Sequence, residues 1–223
     1  MVKIQTNDQN TIDGDLTLPD SHTTPKGIVI FAHGSGSSRH SPRNKYVAQV
    51  LNNAGIATLV VDLLTTDEER VDNLTKEHRF NIALLARRLV SCTDWTLQNP
   101  ELKMLKIGYF GASTGAAAAL VAAAACPNAI SAIVSRGGRP DLAGREVLEQ
   151  IESPTLLIVG ENDKAVIELN QNALKLLVKI GKKKKLIIIP GATHLFEEEG
   201  TLEEVASRAS GWFECFFLEE RGS

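Results

Sequence analysis

Residues 105–120 read LKIGYFGASTGAAAAL, and this stretch decides the fold. It opens on a short apolar run, Leu105–Gly111, and breaks at Gly-Ala-Ser-Thr-Gly. It then continues as almost pure alanine and leucine from Thr114 to Ala125. Alanine and leucine are the strongest helix formers, and a short apolar run bounded by glycine reads as a strand. The stretch is therefore a strand, a sharp turn and a helix, with Ser113 in the turn. Strand and helix backbones approach closely there, so the residues two before and two after the serine must be small. Gly111 and Gly115 meet that demand. A serine at the carboxyl end of a strand projects its hydroxyl above the sheet, beside the first amides of the following helix. Ser113 is the candidate nucleophile and the Thr114 amide a candidate oxyanion donor. The plain alternative, a glycine-bounded turn whose serine caps a helix, accounts less well for the strand–turn–helix setting.

Outward from this stretch, apolar runs alternate with helical patterns. The runs are Gly27–Ala32, Ile56–Leu63, Ile130–Ser135, Thr155–Gly160 and Leu186–Pro190. Most are continuously apolar rather than alternating, as in a parallel sheet with helices on both faces. Val2–Gln5 and Gly14–Leu18 read as an antiparallel edge hairpin. Glu77–Val90, Val166–Ile180 and Leu202–Phe217 read as helices, the last opened by a capping box of Thr201 and Glu204. The expectation is one α/β domain over residues 1–223. The segment between Ser135 and Leu148 leaves room only for a short helix, so no large cap domain is expected. The closing Gly222-Ser223 pair carries no weight in this reading.

Composition narrows the function. The 223 residues carry a formal net charge of −3 with interspersed signs, which gives no electrostatic case for nucleic acid. The basic run Lys182–Lys185 reads as a solvated turn entering a strand. Three widely separated cysteines show no disulfide framework or metal spacing and point to a reducing compartment. The first residues lack the apolar core of a signal peptide, and no stretch is long enough to span a bilayer. The expectation is a cytoplasmic protein with no membrane or nucleic-acid partner.

A serine hydroxyl needs a base to take its proton. His194 follows Leu186–Pro190 in a short loop at the carboxyl end of the last strand, on the sheet edge that also carries Ser113. The base needs a carboxylate to orient it, and Asp163 closes Gly160-Glu161-Asn162-Asp163 just after the penultimate strand. Glu161 and Asp141 are rivals. Asp141 more naturally caps a helix, and Asp62 reads as a structural acceptor. The loop after Gly27–Ala32 reads His33-Gly34-Ser35-Gly36-Ser37-Ser38. Its glycines admit a ligand to the backbone, which makes the Ser35 amide the second candidate oxyanion donor, with Gly36 next. The loop has neither the Walker ending nor the dinucleotide-binding spacing.

Taken together, His33-Gly34, Gly111–Gly115, Gly160–Asp163 and Gly191-Ala192-Thr193-His194 resemble the α/β-hydrolase superfamily, and within it the dienelactone-hydrolase-like group. The resemblance implies a three-layer α/β/α sandwich with a mostly parallel sheet of about eight strands. It also implies no cofactor and no metal, and a triad of Ser113, Asp163 and His194. Dienelactone hydrolases proper have a cysteine nucleophile where this chain has Ser113. The resemblance therefore points to a carboxylesterase-like activity on small esters, with lactones or thioesters as variants. An acyltransferase on the same triad and an inactive binding protein are the alternatives. Gly34, Gly36, Arg136 and Arg139 are candidate substrate-binding residues, because arginine suits recognition of an acidic substrate. The acidic loop Thr65–Asn73 is a candidate cover for the site. A monomer or homodimer acting on a small-molecule ester is expected.

Overall fold

The computed structural model describes residues 1–20 and 24–219. Eight strands are placed there in one sheet: β1 (Val2–Gln5), β2 (Thr11–Thr17), β3 (Ile28–Ala32), β4 (Ala57–Val61), β5 (Ile107–Ala112), β6 (Ile130–Arg136), β7 (Thr155–Gly160) and β8 (Lys184–Ile189). Their order is β1-β2-β4-β3-β5-β6-β7-β8. The hairpin β1–β2 joins β4 antiparallel, and every pairing from β4 through β8 is parallel. The carboxyl ends of β3, β5, β6, β7 and β8 therefore share one edge.

The described residues also form seven α-helices: α1 (Pro42–Asn53), α2 (Thr66–Thr75), α3 (Ile82–Gln98), α4 (Thr114–Ala125), α5 (Arg145–Gln150), α6 (Lys164–Leu176) and α7 (Thr201–Leu218). One core lies between the sheet and α1 and α7, where Val47, Leu51, Val205 and Phe213 meet Val29, Phe31, Phe110 and Ile158. The other packs α3, α4 and α6 against the opposite face, through Leu85, Leu89, Leu120 and Ala173. The architecture is the three-layer sandwich expected. Gly108 shows how close α7 lies: a Cβ there would come within 2.6 Å of the Phe213 ring.

The helices depart from the sequence reading in instructive ways. Helix α1 was not anticipated; Ser41 caps it by accepting the Asn44 amide, and Pro42 follows at the first helical position. Residues 77–80 do not join α3, because Asp72 holds the His78 and Arg79 amides and Asn81 caps the helix instead. At its other end α3 runs on to Gln98, with the hydroxyls of Ser91, Thr93 and Thr96 bonded back to carbonyls four residues earlier. Helix α6 lies two residues earlier at its start than read, and α7 is entered through Gly200. Thr201 donates its hydroxyl to the Glu198 carbonyl, so the expected capping box is absent. Lys184 enters β8 half-buried, its ammonium capping the carbonyls of Leu174 and Leu177. Gly222-Ser223 lies outside the described residues. No helix among the described residues is long and apolar enough to cross a membrane.

Candidate active site

Ser113 follows β5 at the N-cap of α4 with φ 51° and ψ −119°, a conformation that costs a non-glycine residue about 1–3 kcal/mol. The surroundings hold it there. Its amide donates to the Arg136 carbonyl, and its carbonyl accepts from the Ala116 and Arg139 amides, each at 3.1 Å. The flanking glycines are sterically required. A Cβ on Gly111 would lie 2.4 Å from the Ala116 Cα, and one on Gly115 would lie 2.3 Å from the Ala32 carbonyl oxygen. Both obstacles are backbone and cannot rotate away. Gly115→Ala should therefore lower stability by about 2–3 kcal/mol, measurable as a shifted urea midpoint with an unchanged slope.

His194 reaches the site by an indirect route. Strand β8 is three strands from β5, but the loop after it folds back across the end of β7. A Cβ at Gly160 would strike the Ala192 and Thr193 carbonyl oxygens at 2.4 and 2.6 Å, so glycine is needed to let the loop cross. The loop comes to rest on Gly137 (φ +50°) at the end of β6, where a Cβ would lie 3.5 Å from the imidazole Cε1 and Nδ1. His194 thus sits over the strand adjoining that of Ser113. Buried Phe196 anchors the loop from below, and Glu198 takes the Thr193 amide. Asp163, after β7, contacts His194 Nδ1 at 2.6 Å. When that nitrogen carries the proton, Nε2 is left with the lone pair.

The other side of Ser113 is formed by the loop after β3. Gly34 lies against it, with a Cβ site 3.1 Å from the Ser113 Cβ. A turn closed by the Ser37 amide on the Gly34 carbonyl, with Gly36 at φ +68°, carries Ser35 at its corner. Among the described residues no protein acceptor takes the amides of Ser35 or Thr114. His33 pins the loop from beneath: Nε2 accepts the Leu63 amide at 3.0 Å and Nδ1 bonds to the Gly34 carbonyl at 2.9 Å. Burial lowers the His33 pKa, so it holds this post as the neutral ring. Beside the loop is a cavity of about 50 Å³, bordered by Gly34, Ser35, Thr114, Glu69, Asp72 and Arg79.

Residues 12–217 match the model of the dienelactone hydrolase family. The chain belongs to the dienelactone hydrolase family. It is similar to a dienelactone hydrolase from Anabaena variabilis, with 53% identity, a TM-score of 0.91 and 96% of each chain covered. Est1E from Butyrivibrio proteoclasticus, solved with ferulic acid bound, shares the fold at a TM-score of 0.82 and 18% identity, over 98% of this chain and 100% of that one. Two curated Mycobacterium tuberculosis proteins, each named "Putative phosphoribosyl transferase", are 56% identical over 202 residues, which is 91% of this chain. The chain spans 43% of their length.

Glu161 takes the Gly191 amide and so ties the two loops that carry Asp163 and His194. Asp141 holds Arg139 through Nε and Nη2 and makes no cap bond. Those two donors of Arg139 are thereby occupied. Asp62 accepts the Arg39 amide at 2.7 Å and pairs with its guanidinium, the acceptor role expected of it. Arg136 is 8% exposed, on the sheet face of α1 and α7, and its Nη1 is buried with no partner. Burial, with repulsion from Arg43, lowers its pKa to about 10.

Thr65–Asn73 is a helix, not a loop. The reciprocal capping box of Thr65 and Glu68 and three acids in the first turn explain why. That signal was present in the sequence as Thr-x-x-Glu and was missed, as were Asp72 and Arg79. The Asp72 carboxyl is opposed by burial but held below its usual value of 3.8 by bonds from Arg79 and His78. Its stabilisation is therefore present above that value and is lost as pH falls below it.

Proposed function

We propose that the protein is a serine hydrolase that cleaves small carboxylic esters through an acyl-enzyme on Ser113. The single observation that carries this reading is the 2.6 Å contact of Asp163 with His194 Nδ1, on the sheet edge that also carries the positive-φ Ser113 and the free amides of Ser35 and Thr114. Ser113 attacks the carbonyl carbon while His194 Nε2 takes the hydroxyl proton. Asp163 holds the Nδ1 proton and balances the imidazolium. The Ser35 and Thr114 amides donate to the oxyanion, each worth about 3–4 kcal/mol in the transition state. His194 then protonates the leaving alcohol, and water repeats the sequence to release the acid. Membership of a hydrolase family supports this chemistry over the name of the Mycobacterium proteins, because that name describes chains of which the shared segment is less than half.

A fluorophosphonate probe tests the reading. It should label Ser113, identified by peptide mapping, and block hydrolysis of p-nitrophenyl acetate in proportion to labelling. Failure to label with the protein folded would overturn it. Adding alcohols or thiols during turnover separates hydrolysis from acyl transfer. Arg136, a buried cation without a carboxylate partner, supports an acidic group on the substrate. Arg136→Gln should then raise KM about tenfold for an acidic ester and leave its neutral analogue within twofold.

A further inference from the structure

Helix α2 forms one wall of the cavity beside the Ser35 loop, through Glu69, Asp72 and Asn73. It is held there in an unusual way. None of its apolar side chains belongs to either core, and Val71 and Leu74 face solvent. Its only buried residue is the charged Asp72. A ten-residue helix with no packed face is not stable by propensity alone. Its position must come from polar fastenings, and there are two.

At the C-terminal end, Asp72 grips residues 78 and 79 of the connection to α3, and the Arg79 Nε donates to it at 2.7 Å. This fastening is local and ties α2 only to the segment that follows. At the N-terminal end, Glu68 uses one carboxylate oxygen to accept the Thr65 amide at 2.8 Å and the other to accept from Arg88 Nη2 at 2.5 Å. Arg88 is 1% exposed and is itself fixed by Thr6 Oγ1 and Asp8 Oδ1, at 2.8 and 2.6 Å. The Glu68–Arg88 pair thus joins the cavity wall to α3 and to the β1–β2 turn.

We infer that Glu68 and Arg88 are positioning residues, an electrostatic latch that sets how far α2 stands from the Ser35 loop and hence which acyl groups the cavity accepts. The inference rests on the ester-hydrolase reading of the same site. The space is about 50 Å³ and α2 is one of its walls, so its size follows the position of that helix. With the latch closed, short acyl groups are favoured. Weakening it lets α2 swing on the Asp72–Arg79 fastening and enlarges the space.

The test compares wild type, Glu68→Gln, Arg88→Met and the double variant on p-nitrophenyl acetate and hexanoate. Glutamine retains a carbonyl oxygen for the Thr65 amide, so the helix cap survives, while its amide nitrogen cannot accept from Arg88 and the pair is broken. Glu68→Gln should reduce the acetate-over-hexanoate ratio of kcat/KM about tenfold, with kcat on acetate within twofold. The double variant should be no less selective than Arg88→Met alone, since the two residues act as one pair. Unchanged selectivity in a folded Glu68→Gln variant would overturn the latch, even if Arg88→Met fails to fold. The fluorophosphonate reaction keeps the two readings apart. Normal labelling of Ser113 in wild type and variant alongside unchanged selectivity removes the latch and leaves the hydrolase. No labelling of the wild type removes both.

Discussion

Ser113→Ala is expected to lower kcat by about 10⁶ on the best ester while leaving KM little changed. The hydroxyl is the only group in the proposed mechanism that bonds to substrate carbon, and no neighbouring side chain offers a replacement nucleophile at the apex of the turn. The residual rate, about 10³–10⁴ above water, would come from the amides and from binding. A companion substitution separates chemistry from folding. Alanine keeps the Cβ and so keeps the cost of φ 51° at this position. Ser113→Gly relieves it and should stabilise the protein by about 1–3 kcal/mol, offset in part by glycine's freedom in the unfolded chain. Equal loss of activity in both variants, with a higher urea midpoint only in the glycine one, is the expected pattern. Activity surviving in a clean Ser113→Ala preparation would end the serine mechanism.

The parts of the molecule legible in the sequence are those where one local rule operates alone. Gly-Ala-Ser-Thr-Gly between an apolar run and an alanine helix has one economical geometry, and in the structure the backbone leaves no room for a Cβ at Gly111 or Gly115. The parallel strands were legible because their runs are apolar on both faces. The sheet edge shared by Ser113, Asp163 and His194 followed from topology, and the 2.6 Å contact between the last two agrees with it. What stayed hidden depends on partners remote in the chain. The interval 77–80 has helical spacing, yet the carboxylate of Asp72 takes its amides and makes it a connection. Helix α2 has no apolar stripe to announce it, because its position is set by Arg88, twenty residues on from Glu68. Likewise the burial of Arg136 without an acid partner is invisible until Arg43 and the α1–α7 face are placed around it.

Asp163→Asn is expected to lower kcat by about 10⁴ and to leave the fold intact. Asparagine fills the same space but turns an obligate acceptor into a group that can also donate. If its amide nitrogen faces Nδ1, the imidazole must carry its proton on Nε2, and the ring is then an acid where the mechanism needs a base. If its oxygen faces Nδ1, the tautomer is right but the charge that balances the imidazolium is gone. Either way the transition state loses more than the ground state, so kcat should fall and KM should not. The rival carboxylate in the same loop supplies the control. Glu161 spends its bond on the Gly191 amide, which glutamine accepts equally well, so Glu161→Gln should stay within about threefold of wild type. Were the two results exchanged, Glu161 would be the orienting acid, and the short contact between Asp163 and His194 would be a tether for the loop rather than part of the chemistry.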